Sequence, residues 1–228
     1  MDQLIKDLAT KARKAGRYLA ASDYSTRVNA VLAIADALVQ RKAEILAANE
    51  RDIAKARESG MVESLIDRLL LTSERIDGIA NAARKVSRLP DPLQQTLRER
   101  TLENGLHLRQ VSVPFGVIGM IYEARPNVTV DAAVILLMSG NAALLRGSAS
   151  ASESNSILIA IMKDALATTT ISPEVIQQVP SDDRNSVTAL LHARGSIDLV
   201  IPRGSAELIR MVVDEARVPT IETGAGVC

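Results

Sequence analysis

Apolar residues recur every three or four positions through the first third of the chain. Leu4, Leu8, Ala12, Ala15 and Leu19 mark one stripe, and Val28, Val31, Leu32, Ala35, Leu38 and Val39 mark a second. This spacing predicts amphipathic helices from residue 3 to about residue 88, each burying one face. Ser22 or Asp23 suits the N-cap of the second helix, because a short side-chain oxygen accepts from an otherwise unpaired amide. Thr72 or Ser73 does the same for a helix through Ile76, Ile79, Ala83 and Val86. Pro90 and Pro92 end the helical region, since proline lacks the amide and restricts the residue before it.

Between residues 96 and 113 the period shortens to two. Segments 96–100 and 106–111 flank Glu103-Asn104-Gly105, and Asn-Gly between such segments predicts a hairpin. Alternating polarity favours a two-faced antiparallel ribbon, either an oligomerisation arm or an edge excursion within one subunit.

From Pro114 onward, apolar strands alternate with amphipathic helices. Strands are predicted at 116–122, 141–146, 175–179 and 197–201, and Pro219-Thr220-Ile221 opens a fifth. Helices are predicted at 130–138, through Ile157 to Leu166, at 185–191 and through Leu208 to Ala216. Continuous apolar strands joined by helices predict an α/β fold, a Rossmann-like parallel sheet covered on both faces. The chain then divides into a helical segment (1–92), a ribbon (93–113) and an α/β domain (114–228). Ligands of such sheets bind beyond the carboxyl ends of the strands. Asn127, Arg146-Gly147-Ser148, Pro180-Ser181-Asp182 and Pro202-Arg203-Gly204-Ser205 collect there.

Composition narrows the function classes. The 27 Lys and Arg balance 27 Asp and Glu, so no overall field recruits nucleic acid or an anionic membrane. Phe115, Tyr18, Tyr24 and Tyr122 are too few to supply stacking platforms for single strands, and the basic residues between Arg84 and Arg109 read as a solvated face. With only His107, His192 and Cys228, neither a zinc cluster nor an internal disulfide framework is expected. A lone cysteine favours a reducing, cytoplasmic setting, and the start lacks an apolar run long enough for a signal peptide or membrane span, which predicts a soluble protein.

The Gly-x-Gly-x-x-Gly dinucleotide fingerprint is missing. Gly204 and Ser205 instead lie where a strand becomes a helix, offering free amides to a phosphate or nicotinamide; a plain helix start explains them equally. Arg146, after the second strand, suits an adenosine ribose phosphate and so NADP over NAD, or is a rim arginine paired with Glu153 or Asp182. In Glu123-Ala124-Arg125-Pro126-Asn127-Val128, Asn127 offers an amide donor to an oxyanion or caps a turn, and Arg125 suits a carboxylate or phosphate. Glu222 reads as a base, a helix-end anion or a solvent-facing side chain.

The stretches Val113-Pro114-Phe115-Gly116-Val117-Ile118-Gly119, Tyr122-Glu123-Ala124-Arg125-Pro126-Asn127-Val128-Thr129, Ser139-Gly140-Asn141-Ala142 and Leu145-Arg146-Gly147 together resemble the gamma-glutamyl phosphate reductases, within the aldehyde dehydrogenase superfamily. Ile197-Asp198-Leu199-Val200-Ile201-Pro202-Arg203-Gly204 and Gly224-Ala225-Gly226-Val227-Cys228 extend the resemblance. It implies an enzyme of proline biosynthesis that reduces L-glutamyl 5-phosphate with NADPH to L-glutamate 5-semialdehyde, releasing phosphate after attack by a cysteine thiolate. It also implies roles: Asn127 for the oxyanion, Arg125 for substrate, and Arg146, Gly147, Ser148, Gly204, Ser205 and Glu222 for the cofactor. Arg146-Gly147-Ser148-Ala149-Ser150 departs from the Lys-Pro-Ser-Glu pattern of aldehyde oxidisers. The family's nucleophilic cysteine lies on a later loop, so this chain is expected to correspond to the amino-terminal part, to lack activity alone and to use Cys228 structurally. Another acyl-phosphate or aldehyde dehydrogenase, or a non-catalytic dinucleotide-binding module, is the alternative, and a homo-oligomer is a plausible assembly.

Overall fold

The computed structural model describes residues 1–183 and 185–221. Five helices come first: α1 (Asp2–Ala21), α2 (Tyr24–Gln40), α3 (Lys42–Glu58), α4 (Glu63–Leu69) and α5 (Ser73–Val86). Asp23 caps α2 by accepting from the Thr26 amide at 2.6 Å, and Thr72 caps α5 through the Arg75 amide at 3.2 Å. The buried stripe of α1 is Ile5, Ala9, Ala12, Ala15 and Leu19, so Leu4 and Leu8 sit off the stripe that the spacing suggested. On α2, Ala30 and Ile34 join Val31, Ala35 and Leu38 in the core, while Val39 faces outward.

The ribbon follows as β1 (Thr96–Thr101) and β2 (His107–Val111), paired antiparallel. Gly105, at φ +83°, turns the chain, and Asn104 Oδ1 accepts from the Leu106 amide at 3.1 Å. Every residue of both strands is exposed, so neither face covers the core of this chain.

A second sheet is wholly parallel, with strands β3 (Val117–Tyr122), β4 (Ala142–Arg146), β5 (Ile176–Gln178) and β6 (Leu199–Arg203) in the order β5-β4-β3-β6. The chain winds from β3 outward to β5 and then returns to the opposite side of β3 as β6. Thr220 bridges Val200 in parallel, continuing the sheet beyond β6. The helices between strands are α6 (Pro126–Met138), α7 (Ser152–Ala167), α8 (Asn185–Leu191) and α9 (Ala206–Glu215). β6 begins two residues later than the pattern suggested; Asp198 instead knits the strand entrance, accepting from the Val117 amide at 2.7 Å and from Arg13 of α1 at 3.0 Å.

Both faces of this sheet are covered. α1 and α8 lie against one face, and α6 and α7 against the other, with α2, α3 and α5 packed outside them. Gly119 makes room for α8, since a Cβ there would come 2.7 Å from Leu190 Cδ2. β3 is buried at all six positions, as a central parallel strand requires.

Buried polar groups tie the outer helices to this core. Asn49 of α3 donates to the Leu69 carbonyl (2.9 Å) and Ser154 Oγ (3.1 Å), and its Oδ1 accepts from the Leu71 amide at 2.7 Å. Asp52 accepts from the Glu153 and Ser154 amides, capping α7 from outside it. Asn49→Ala strands a buried amide and a buried carbonyl together, so urea unfolding should show a loss of roughly 2–4 kcal/mol. Lys163→Ala, which breaks a surface pair with Glu174, should cost less than about 1 kcal/mol; equal losses would contradict this assignment.

Candidate functional site

The carboxyl edge of the sheet gathers the residues singled out in the sequence. Its centre is the gap between β3 and β6, where the strand order changes direction and a ligand crevice forms. A buried chain of hydroxyls sets the floor. Thr129 Oγ1 donates to Asn155 Oδ1 at 2.7 Å, which leaves Tyr122 as donor to Thr129 at 2.8 Å. Burial pushes the Tyr122 phenol well above its ordinary value, so it stays a neutral donor. This chain joins the end of β3, the first turns of α6 and the start of α7.

Asn127 is not in a connector. α6 starts at Pro126, so Asn127 belongs to its first turn, whereas the pattern placed the helix start at Val130. Proline suits the first helical position because its missing amide would lack a partner there anyway; that was the available signal, and it read as an interruption. Asn127 Nδ2 donates to Asp131 Oδ2 one turn on, at 3.1 Å. Asp131 is half-buried, and desolvation raises its pKa despite the hydrogen bond from Asn127.

Arg125 is the exposed residue preceding α6. Around it three clefts adjoin. One of about 430 Å³ runs beneath α4 and α5 and includes Arg68, Arg75, Asn127 and Asp131. The second, of about 350 Å³, is mostly apolar, with Met120, Val130 and Val134 beside Asn127 and Asp131. The third, of about 250 Å³, holds Arg68, Glu123, Arg125, Arg203, Gly204 and Ser205.

Ser205 caps α9 through its Oγ, which accepts from the Leu208 amide at 3.3 Å. Its own amide donates to Glu123 Oε1 at 2.9 Å. The helix start thus already holds an anionic oxygen, and Gly204 permits the approach, since a Cβ there would lie 2.6 Å from the Glu123 carboxyl carbon.

Arg146 ends β4 half-buried, donating from Nε to Ser186 Oγ (3.3 Å) and from Nη2 to the Ser181 carbonyl (3.4 Å). Glu153, named above as a pairing partner for it, is engaged by Arg51 and Lys55 instead. Gly147 sits against Asn155 and the Tyr122 ring, with no room for a side chain. Ser148 caps the short turn Ala149–Ala151, its Oγ accepting from the Ser150 amide. The site therefore joins Asn127, Arg125, Gly204 and Ser205 at one opening, while Arg146, Gly147 and Ser148 lie on the next strand. Glu222 and Cys228 lie outside the described residues. Arg68, Glu123, Asp131 and Arg203 were not singled out from the sequence as site residues, because the spacing of charges does not report which cleft they share.

The sequence profile of the aldehyde dehydrogenase family matches residues 2–225. A curated gamma-glutamyl phosphate reductase from Thermobifida fusca is 51% identical over 224 residues, covering 98% of this chain and 54% of that protein. The crystal structure of gamma-glutamyl phosphate reductase from Thermotoga maritima superimposes with a TM-score of 0.95 at 40% identity, over 97% of this chain and 54% of that one. The Saccharomyces cerevisiae enzyme gives 0.88 at 32%, over 97% and 56%. The chain thus spans about half the length of the relatives it matches.

The Asp131 pKa sets a testable sign. A folded-state value raised above the ordinary 3.8 makes a contribution to stability that is complete below the unfolded-state value and is lost as pH rises through the folded-state value. Asp131→Asn keeps an acceptor for Asn127 but carries no charge. Its urea midpoint should therefore gain on the wild type between acidic and neutral pH; a pH-independent difference would show that burial does not act on this carboxyl.

Proposed function

The chain belongs to the aldehyde dehydrogenase family, and from that membership we propose that it forms the cofactor-binding part of a cytoplasmic reductase of proline biosynthesis. The reaction is the NADPH-dependent reduction of L-glutamyl 5-phosphate to L-glutamate 5-semialdehyde, with release of phosphate. The observation that carries this reading is the convergence of Asn127, Arg125, Arg203 and the start of α9 on the gap between β3 and β6. The names of the relatives supply the substrate, and their agreement across two solved structures supports it.

The residues present fit a nicotinamide dinucleotide. The Ser205 amide donates to Glu123 Oε1, so a diphosphate oxygen at this helix start meets the next amides of the first turn of α9. Arg146 stands at the end of β4, where a guanidinium fork favours a ribose phosphate and hence NADP. When bound, that cofactor supplies the hydride. The protein's task is to hold and polarise.

Asn127 is the donor placed for a carbonyl oxygen as negative charge grows on it, and Asp131 one turn later fixes its amide orientation. Because α6 is anchored by the Tyr122, Thr129 and Asn155 chain, little reorganisation is needed when charge develops. Arg125 receives an anionic group of the substrate. Among the described residues, no helix is long and apolar enough to cross a membrane. The ribbon supports self-association: Leu97 and Leu108 stand exposed on two strands that contribute nothing to this chain's core, with Leu106 exposed beside them. Leu97→Lys with Leu108→Lys should lower the mass found by sedimentation, and an unchanged assembly would remove the ribbon from the interface.

Catalysis is tested in a polypeptide of the relatives' length carrying this chain. Asn127→Ala should lower turnover about a hundredfold or more with little change in NADPH affinity, as loss of an oxyanion donor does. Arg146→Ala should weaken NADPH about tenfold while sparing NADH. Unchanged turnover in the first variant, or equal losses for both cofactors in the second, would reject the respective role.

A further inference from the structure

Arg68 of α4, Arg125 before α6 and Arg203 at the end of β6 line the same cleft of about 250 Å³. Their guanidinium groups have no hydrogen-bond or ion-pair partner among the described residues. Several arginines elsewhere are paired, with Arg13, Arg27, Arg41, Arg75 and Arg84 each meeting a carboxylate; what sets these three apart is that they share one cleft. Among the described residues, Glu123 is the one acidic residue lining the cleft, and it is occupied by the Ser205 amide. Three positive charges against one negative leave an excess of two. Gathering like charges costs free energy unless an anion offsets it.

Guanidinium forks match the oxygens of phosphate. The cleft is smaller than the roughly 300–1,000 Å³ usual for small-molecule pockets, which suits a phosphoryl group and is too little for a whole dinucleotide. It also shares Arg125, Val128 and Arg203 with the apolar cleft that contains Asn127. A group bound among the arginines therefore lies next to the cleft that contains Asn127.

We infer that Arg68, Arg125 and Arg203 form a subsite for a phosphate group, bound as the phosphoryl end of an acyl phosphate or as free inorganic phosphate. The inference rests on the reductase reading and adds Arg68 and Arg203 to its substrate contacts. It takes nothing from the start of α9, whose first amide is already engaged.

The test is titration of the 228-residue chain with inorganic phosphate, read by calorimetry against chloride at equal ionic strength. Saturable binding is expected, weakened about tenfold in Arg68→Ala and in Arg203→Ala, the loss of one charge-assisted contact each. Arg68→Gln, which retains much of the side-chain stem, should behave like Arg68→Ala, and Arg98→Ala on the ribbon should bind as the wild type does. Acetyl phosphate should compete with phosphate, and NADPH should not. Wild-type binding no greater than with chloride, variants that bind phosphate undiminished, or displacement of phosphate by NADPH would each overturn the subsite. NADPH binding is titrated separately, so failure of phosphate binding with NADPH binding intact removes the subsite and leaves the reductase reading standing.

Discussion

A parallel sheet has no face that can be left in water, and its crossovers all return to the same edge. Both consequences govern this chain. The buried strand β3 needs cover above and below, so α1, the first helix in sequence, folds back to lie with α8 on one face. Small residues let the helices come close: Gly16 of α1 meets Ala142 of β4, and Gly119 meets Leu190. Each strand then releases its following loop at the same carboxyl edge, where the functional side chains gather.

Covering the sheet also creates the polar joints that fix that edge. Helix α6 lies between the sheet and an outer layer of helices and is buried over most of its circumference, so it has almost no solvated face. Its polar first turn, carrying Asn127, lies beside the opening. The Tyr122, Thr129 and Asn155 hydroxyl and amide groups satisfy one another below it. An unpaired member of such a chain would be costly, so the helix start is held in one position. Asn49 plays the same part farther out, tying α3 to the segment between α4 and α5 and thereby locating Arg68.

Electrostatics divides the surface into two regimes. Over the helical layers, several arginines meet carboxylates, including the nearly buried Arg27, which grips Asp91 with both oxygens 2.7 Å away. At the sheet edge three guanidinium groups share a small cleft in which, among the described residues, a single carboxylate serves a helix start.

Local patterns in the sequence were enough for the helical first third, the Asn-Gly hairpin and the alternation of strands with helices, because periodicity and turn chemistry act over a few residues. They also drew attention to Asn127, Arg125 and Gly204 as candidates, since polar residues interrupting apolar runs mark loops or helix starts. They misplaced the start of α6, where Pro126 opens a helix rather than breaking one, and shifted the stripe on α1 in its first two turns. Which face a helix buries depends on what it meets. Tertiary structure alone decided that Glu123 holds the α9 amide, that Asp131 orients Asn127, and that Arg68, Arg125 and Arg203 share one cleft. Apart from the Asp131–Asn127 pair within α6, those contacts join residues on separate elements, and only the packing of the helical layers against the sheet brings them within reach.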